Sequence, residues 1–354
     1  MLDADLPRVM LVTTGGTIAM TDDGTGTVKP SLTAKSLLGS VPDLAKVAGV
    51  SVHDFRQKPG ASLTLADLRE LAQLLEDSAD AVDGVVISQG TDSIEETSFL
   101  LDLWYTGKRP VVITGAMRNP AQAGHDGPAN LLAAVTTAAS NASFGRGVLV
   151  VMADEIHDSL RVAKTHATSV AAFSSPNGGP AGYVAEERVN FYQAAGPRLT
   201  VPRPHENVFP RVGLVTVSVG DTGELLESAA RLDGLVVAAM GVGHVPADMA
   251  KKLQNIAAKI PVILTSRTGG GSVLTRTYGF TGSESDLIER GLVPGGILQP
   301  LKARLLLMAA LAAGATRAQI ANAFASAGSL RDSAVWPWPW PSPSHVVEAS
   351  RAHS

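Results

Sequence analysis

Short apolar runs recur along the chain, each bounded by glycine, proline or polar residues. Between them, apolar residues repeat with the period of a helix, as at Leu68, Leu71, Leu74 and Leu75. The apolar runs occupy residues 9–12, 84–88, 111–114, 147–152, 212–217, 234–238 and 262–265, and the helical segments occupy residues 65–75, 95–105, 129–139, 247–257 and 303–313. Strands that alternate with helices predict a parallel sheet, because right-handed crossovers between parallel neighbours need a helix. The pattern therefore predicts an α/β protein.

The alternation lapses between about residues 178 and 210 and resumes at Arg211. For a chain of 354 residues this pattern predicts two domains. Residues 1–196 are assigned to a catalytic N-terminal domain whose larger, mainly parallel sheet is flanked by helices. Residues 197–210 are assigned to a linker, and residues 211–334 to a smaller C-terminal α/β domain with a parallel sheet.

Residues 335–354 are assigned to a tail rich in tryptophan and proline. Prolines this closely spaced fit neither helix nor sheet, so they predict an extended, loosely ordered segment without a catalytic part. Its tryptophans could dock on the body of the protein or on a partner.

Composition excludes several classes of function. The chain has no cysteine, so disulfides, thiolate nucleophiles and zinc–thiolate sites are ruled out, and a nucleophile must be an oxygen or an amine. A net charge of −4 argues against a partner that is nucleic acid or an anionic membrane. No apolar run is long enough to span a bilayer, and the first residues lack the pattern of a secretion signal, so we expect a cytoplasmic protein. The histidine spacing suits no metal site, and neither a phosphate loop nor a dinucleotide fingerprint occurs, so we expect no metal and no cofactor.

Two glycine-containing turns follow predicted strands. Residues 13–19 read Thr-Thr-Gly-Gly-Thr-Ile-Ala and residues 88–93 read Ser-Gln-Gly-Thr-Asp-Ser, so that Thr17 and Thr91 each follow a glycine. Ligands of open α/β sheets bind beyond the carboxyl ends of the strands, which makes both turns candidates for a site. Taken alone, each turn is explained as well by a threonine that caps a helix.

Taken together, these turns and residues 158–168 resemble the bacterial L-asparaginase/glutaminase family. The family's first signature, TGGTIA, is unchanged at residues 14–19, and its second, HGTDT, reads Gln-Gly-Thr-Asp-Ser at residues 89–93. The resemblance covers roughly residues 8–327 and continues, in the family's order, through residues 126–132, 147–152, 164–166, 172–177 and 300–304. It implies an amidohydrolase that converts L-asparagine to aspartate and ammonia through a threonine nucleophile.

The resemblance implies a role for each matching residue. Thr17 matches the family's first catalytic threonine, and Thr91, Asp92 and Lys164 match the second threonine and its proton-handling partners. The chemistry is consistent with this, because a neutral hydroxyl needs a base, and a partly desolvated lysine beside a carboxylate can exchange a proton with Thr91. An ordinary surface ion pair is the alternative for Lys164, and the order in which the two threonines react stays open.

Other matching positions are expected to bind the substrate. Asp92 is expected to hold the α-ammonium group, and backbone N–H groups at Gly16 and Thr91 to stabilise the oxyanion. The full set of expected substrate-binding residues is Gly16, Gly60, Ala61, Ser62, Gly90, Asp92 and Ala116.

The sequence departs from the family where the amino acid is recognised. The family's lid carries a tyrosine, and the best-matched lid residue here is Thr27. Gly60 and Ala61 stand where the family has a serine and a polar residue that hold the α-carboxylate, with Ser62 or backbone N–H groups as substitutes. Residues 268–283 contain no acidic residue, whereas the family's long-form enzymes bring one from a neighbouring subunit.

These departures leave three interpretations open. The chain hydrolyses L-asparagine, or it acts on another amide such as L-glutamine, D-asparagine or a derivative, or it is a non-catalytic homologue that binds an amide or amino acid. The expected partners are a small-molecule amide and, as in the family, further copies of the chain in a homodimer or homotetramer.

Overall fold

The structure is a computed structural model that describes residues 6–15, 20–22, 28–30, 38–329 and 335–339. Its strands are β1 (Arg8–Thr13), β2 (Met20–Asp22), β3 (Val28–Pro30), β4 (Gly49–Asp54), β5 (Gly84–Ser88), β6 (Val111–Thr114), β7 (Val148–Met152), β8 (Glu155–Asp158), β9 (Ala163–Lys164), β10 (Phe173–Ser174), β11 (Gly182–Ala185), β12 (Arg188–Phe191), β13 (Val212–Thr216), β14 (Gly234–Ala239), β15 (Val262–Ser266) and β16 (Val293–Pro294). The α-helices with both ends in the described residues are α1 (Leu44–Val47), α2 (Leu65–Ser78), α3 (Ile94–Trp104), α4 (Gly127–Ala139), α5 (Ala247–Ala257), α6 (Glu284–Glu289), α7 (Pro300–Ala312) and α8 (Arg317–Ala327).

The larger sheet has eight strands in the order β12-β11-β8-β7-β6-β5-β1-β4. Its strands β4, β1, β5, β6 and β7 run parallel, and β8, β11 and β12 extend it antiparallel. Every residue of β5, β6 and β7 is buried, as expected for parallel strands covered on both faces. The smaller sheet, β13-β14-β15-β16, is parallel throughout. The predicted two-domain α/β fold class is confirmed.

Helix α7 connects the two sheets through apolar packing. It packs on α3 beside the larger sheet and on β13 and β14 of the smaller sheet. Phe99 and Leu103 of α3 belong to the same buried cluster as Leu306 and Leu307 of α7. The carboxyl-terminal part of the chain is therefore continuous with the core of the larger sheet.

The described part of the tail lies on the body of the protein. Trp336 is only 7% exposed, and its indole Nε1 donates to the carbonyl of Thr200 at 2.9 Å. Its ring meets that of Trp338 edge to face, with centroids 5.2 Å apart. Residues 335–339 therefore dock on the body of the protein, which is one of the two possibilities expected from the sequence. Within the described residues, no helix has the length and apolar composition needed to cross a membrane.

Candidate active site

Four neighbouring parallel strands end at one edge of the larger sheet. Thr13, the last residue of β1, pairs with Ser88 of β5 and with Asp54 of β4, and Ser88 pairs with Thr114 of β6. The hydroxyl of Thr13 donates to Asp54 Oδ1 at 2.9 Å. Because these strand ends are in register, the segments that follow them are gathered at the same edge.

Three predicted catalytic residues meet at this edge. Lys164 Nζ lies 2.9 Å from Thr91 Oγ1 and 3.0 Å from Asp92 Oδ1. The Lys164 side chain is 15% exposed, whereas that of Asp92 is 66% exposed, so the lysine is shielded while the carboxylate faces solvent. Thr91 and Asp92 belong to a 3-10 turn directly after β5, and Lys164 belongs to β9. This arrangement can pass a proton between an amine and a hydroxyl.

Glu95 fixes the backbone of Lys164. Its Oε2 accepts a hydrogen bond from the backbone N–H of Lys164 at 3.1 Å. Burial raises the pKa of Glu95, while the charges of Lys302 and Lys164 oppose that rise. The sequence analysis did not select Glu95. Its position in the sequence, one helical turn after Asp92, is the feature that could have indicated that Glu95 lies near the cluster.

A second turn, Gly60–Ser62, packs against Thr91 and its neighbours. A Cβ on Gly60 would lie 2.7 Å from the carbonyl oxygen of Gly90, so the two backbones touch. The hydroxyl of Ser93 donates to the carbonyl of Gly60 at 2.9 Å, and Gln89 Nε2 donates to Ser93 Oγ at 3.2 Å. The two positions that differ from the family's second signature, 89 and 93, thus act together to hold this turn.

The remaining predicted binding residues in the described chain lie around the same edge. Ala61 and Ser62 are exposed on their turn. Ala116, only 1% exposed, follows Gly115, where an added Cβ would lie 3.2 Å from Thr91 Cγ2. The structure thus gathers Gly60, Ala61, Ser62, Gly90 and Ala116 near the lysine and its partners.

The first glycine turn is described as far as Gly15. This residue has a φ of 105°, and a Cβ there would lie 2.5 Å from the carbonyl oxygen of Lys58, so glycine is required. The Lys58 N–H donates to the carbonyl of Thr14 at 2.8 Å. The predicted residues Gly16, Thr17 and Thr27 lie outside the described residues.

Within the described residues, no three histidine, aspartate or glutamate side chains are grouped so that they can hold a metal ion.

The first acidic residue after the loop 268–283 is Glu284, and its carboxylate is already engaged in hydrogen bonds. Glu284 is fully buried, and it accepts hydrogen bonds from the backbone N–H groups of Thr277 and Tyr278. Its other oxygen contacts His244 Nε2 at 3.1 Å. Glu284 thus stabilises its own loop.

Asp67 anchors the segment that carries the Gly60–Ser62 turn. Its carboxylate accepts hydrogen bonds from Lys58 Nζ at 2.7 Å, from Arg56 Nε at 2.9 Å and from the hydroxyl of Thr64 at 2.7 Å. Burial by itself would raise the pKa of Asp67, but the hydrogen bonds from Lys58, Thr64 and Arg56 hold it well below its usual range. The ionised carboxylate therefore stabilises the fold.

Replacing Asp67 with asparagine is expected to lower the free energy of unfolding at pH 7 by about 3 kcal/mol, because it removes the buried carboxylate that pairs with Lys58 and Arg56 and leaves Arg56 only the more exposed Glu70. The pKa of Asp67 is lower in the folded protein than in the unfolded chain, where it is about 4. The carboxylate therefore stabilises the fold fully at pH values above about 4, and this stabilisation is lost as the pH falls through the folded-state pKa. The difference between wild type and variant should therefore shrink in acid. Urea unfolding at pH 7 and pH 3 measures it. Glu70→Gln, at a carboxylate 44% exposed, is the control and should cost less than about 1 kcal/mol.

The fold and the lysine–threonine–aspartate cluster define a class, the two-domain α/β hydrolases that act on amides. Residues 8–196 match the family described as Asparaginase, N-terminal, and residues 211–324 match the Glutaminase/Asparaginase C-terminal domain. The chain belongs to this glutaminase/asparaginase family of enzymes.

Known relatives resemble nearly the whole chain. A probable L-asparaginase from Deinococcus radiodurans is 38% identical over 331 residues, which are 91% of this chain and 98% of the relative. L-asparaginase 2 of Escherichia coli is 34% identical over 319 residues, which are 86% of this chain and 89% of the relative. The crystal structure of a probable cytoplasmic L-asparaginase from Campylobacter jejuni has a TM-score of 0.81 at 29% identity, and the match covers 90% of this chain and 99% of that chain.

Proposed function

We propose that this chain hydrolyses the side-chain amide of L-asparagine to L-aspartate and ammonia, with Thr17 as the nucleophile. The observation that carries the proposal is the contact of Lys164 Nζ with both Thr91 Oγ1 and Asp92 Oδ1, at 2.9 and 3.0 Å. A hydroxyl attacks an amide only when a nearby group manages its proton, and this cluster can do so. The relatives that are 34% and 38% identical are named as L-asparaginases, which supports L-asparagine as the substrate.

The reaction proceeds in two halves. The oxygen of Thr17 adds to the amide carbon, its proton passes to the Thr91–Lys164 pair, and N–H groups of the glycine turns stabilise the oxyanion. The C–N bond then breaks, the nitrogen takes the proton and leaves as ammonia, and an acyl-threonine remains. Water adds to this ester and gives its proton to the same pair. The acyl C–O bond to Thr17 then breaks, the Thr17 oxygen takes the proton from the pair, and aspartate leaves.

Recognition of the amino acid is assigned to the exposed groups around the cluster. The Asp92 carboxylate is proposed to hold the α-ammonium group, and its 66% exposure supports this. The hydroxyl of Ser62, exposed on its turn, is the candidate donor to the α-carboxylate. Thr27 is proposed as the lid residue that closes over the site.

Ammonia release by the purified protein tests the proposal against L-asparagine, D-asparagine, L-glutamine and a panel of substituted amides. Turnover of L-asparagine is expected, with Thr17→Ala inactive and Thr222→Ala, a threonine on the smaller domain, as active as wild type. Turnover of another amide, with none of L-asparagine, would contradict L-asparagine as the substrate but would still support amide hydrolysis as the reaction. Absence of ammonia from every amide would favour a non-catalytic binding protein and contradict the proposal.

We also propose that the chain is cytoplasmic and forms a homodimer or homotetramer. The structural relative from Campylobacter jejuni is named as cytoplasmic, which favours that location. Tyr278 and Phe280 are 44% and 51% exposed on neighbouring positions of one loop, and exposed aromatic side chains of this kind favour contact with another subunit. The small-molecule amide remains the proposed ligand.

A further inference from the structure

Lys302 is a charged side chain in the apolar core. It is the third residue of α7 and only 1% exposed, and it precedes the buried residues Leu305, Leu306 and Leu307 on that helix. Lysine is almost never buried to this extent unless its ammonium group has partners. Its partners therefore indicate what it does.

Those partners belong to the segment that leads to Lys164. Lys302 Nζ donates to the carbonyl oxygens of Ser159 and Val162, each at 2.5 Å. Both carbonyls lie in the turn between β8 and β9, which is also closed by a hydrogen bond from Val162 N to the carbonyl of Asp158 at 3.0 Å. Val162 is two residues before Lys164, so the ammonium group of α7 fixes the backbone from which Lys164 extends.

A second connection between Lys302 and Lys164 runs through Glu95. The carboxylate of Glu95 holds the backbone N–H of Lys164 at 3.1 Å, and the positive charge of Lys302 opposes the rise in the pKa of Glu95 that burial causes. The other titratable groups around Lys302 are Asp102, Asp158 and the buried His157, and the charge of Glu96 adds to the rise in the pKa of Glu95. Burial lowers the pKa of Lys302, although the charges of Glu95, Asp102 and Asp158 act in the opposite direction.

We propose that Lys302 is a positioning residue, which holds Lys164 against Thr91 from the opposite domain by binding the Ser159–Val162 turn. The inference rests on the proposed function, because it gives Lys164 the role of proton carrier. Lys302 itself does not touch the substrate. It makes the geometry of the site in the larger domain depend on the seating of α7.

Arg304 offers a matched control on the same helix. Its Nε donates to the carbonyl of Val212 at 2.9 Å, so it joins α7 to β13 within the smaller domain. Replacement by methionine removes a charge in each case, together with two hydrogen bonds to backbone carbonyls at Lys302 and one at Arg304. Only Lys302→Met removes hydrogen bonds to the turn that precedes Lys164.

The experiment compares Lys302→Met and Arg304→Met by steady-state hydrolysis of L-asparagine, by thermal unfolding and by hydrogen exchange of peptides that cover residues 159–164. Lys302→Met should lower kcat about 10- to 100-fold and change KM less than about threefold, because a misplaced proton carrier slows chemistry and not binding. The acidic limb of its kcat profile should move to higher pH, because Glu95 without the nearby charge takes up a proton more readily. Arg304→Met should keep kcat and the profile, even if its melting temperature falls equally.

Several outcomes would overturn the inference. These are equal losses of kcat in both variants, a change confined to KM, or an unshifted acidic limb in Lys302→Met. If the wild-type protein hydrolyses no amide, the proposed function fails. Hydrogen exchange then decides by itself whether Lys302 positions the backbone of residues 159–164. Faster exchange of residues 159–164 in Lys302→Met only would then support positioning, and equal exchange in both variants would refute it. Should Lys302→Met not fold, Glu95→Gln takes its place, and a kcat equal to that of wild type would count against the proposal.

Discussion

Lys164→Met is expected to lower kcat for L-asparagine about 10³-fold, which is the contribution that a positioned acid–base group typically makes. The methionine keeps most of the side-chain volume but removes the nitrogen that lies 2.9 Å from Thr91 Oγ1. Because Lys164 handles the proton and does not hold the amino acid in this proposal, KM should stay within about threefold. Stopped-time ammonia assays at saturating substrate measure the loss.

Lys164→Arg separates proton transfer from positive charge. Arginine keeps the charge beside Asp92 but does not lose its proton in proteins, so this variant should be nearly as inactive as Lys164→Met. Lys251→Met, at an exposed lysine on α5, is the control and should keep full activity. An arginine variant that retains more than about a tenth of wild-type kcat would show that charge, and not proton exchange, is what the site needs.

Trp336→Ala is expected to lower the free energy of unfolding by about 3 kcal/mol, within the range for removal of a large buried aromatic side chain. The indole is 7% exposed, packs in the cluster that contains Trp104 and Val201, and donates to the carbonyl of Thr200 at 2.9 Å. Its loss leaves a cavity between residues 335–339 and the segment around Thr200. Denaturant unfolding followed by far-ultraviolet circular dichroism measures the change.

Trp338→Ala is the matched control for this experiment. Trp338 lies only partly buried at the margin of the same cluster. It should cost about 1 kcal/mol, since less apolar surface returns to water. Equal effects of the two substitutions would show that Trp336 is not the main anchor of residues 335–339, and a negligible effect of Trp336→Ala would show that its buried indole does not stabilise the fold.

Much of the catalytic cluster was predictable from the sequence. The runs at 84–88 and 111–114 are apolar up to their last residues, Ser88 and Thr114, because their strands are buried on both faces, and the prediction matches β5 and β6. Thr91 and Asp92 follow β5 directly, so the rule on strand ends located them. Lys164 required the resemblance, because β9 is a two-residue strand with no pattern of its own.

Other parts of the fold carry no local signal. β4 was not predicted: apolar and polar residues alternate only over residues 50–53, and the strand is mostly exposed. The hairpin of β11 and β12 turns through Glu186 and Glu187 at positive φ, where asparagine and glycine are the usual residues. Its strands lie within the stretch where the sequence showed only a lapse.

Lys302 illustrates a different limit of sequence reasoning. Residues 300–304 were noticed only as part of the resemblance, although a lysine in a run of leucines is unusual for a buried helix. The carbonyls that it binds are 143 and 140 residues away in the chain. These hydrogen bonds depend on how the two domains pack together, and the spacing of apolar residues along the chain contains no information about that packing.

The backbone contact between Gly60 and Gly90 limits how the substrate range of this enzyme can change. A side chain at Gly60 would collide with the carbonyl of Gly90, 2.7 Å from its Cβ, so mutation at this position disturbs the turn that carries Thr91 and Asp92. Ala61 and Ser62 face solvent and carry no such constraint. Adaptation to a new amide, in nature or in the laboratory, should therefore accumulate at these two neighbours while Gly60 stays fixed.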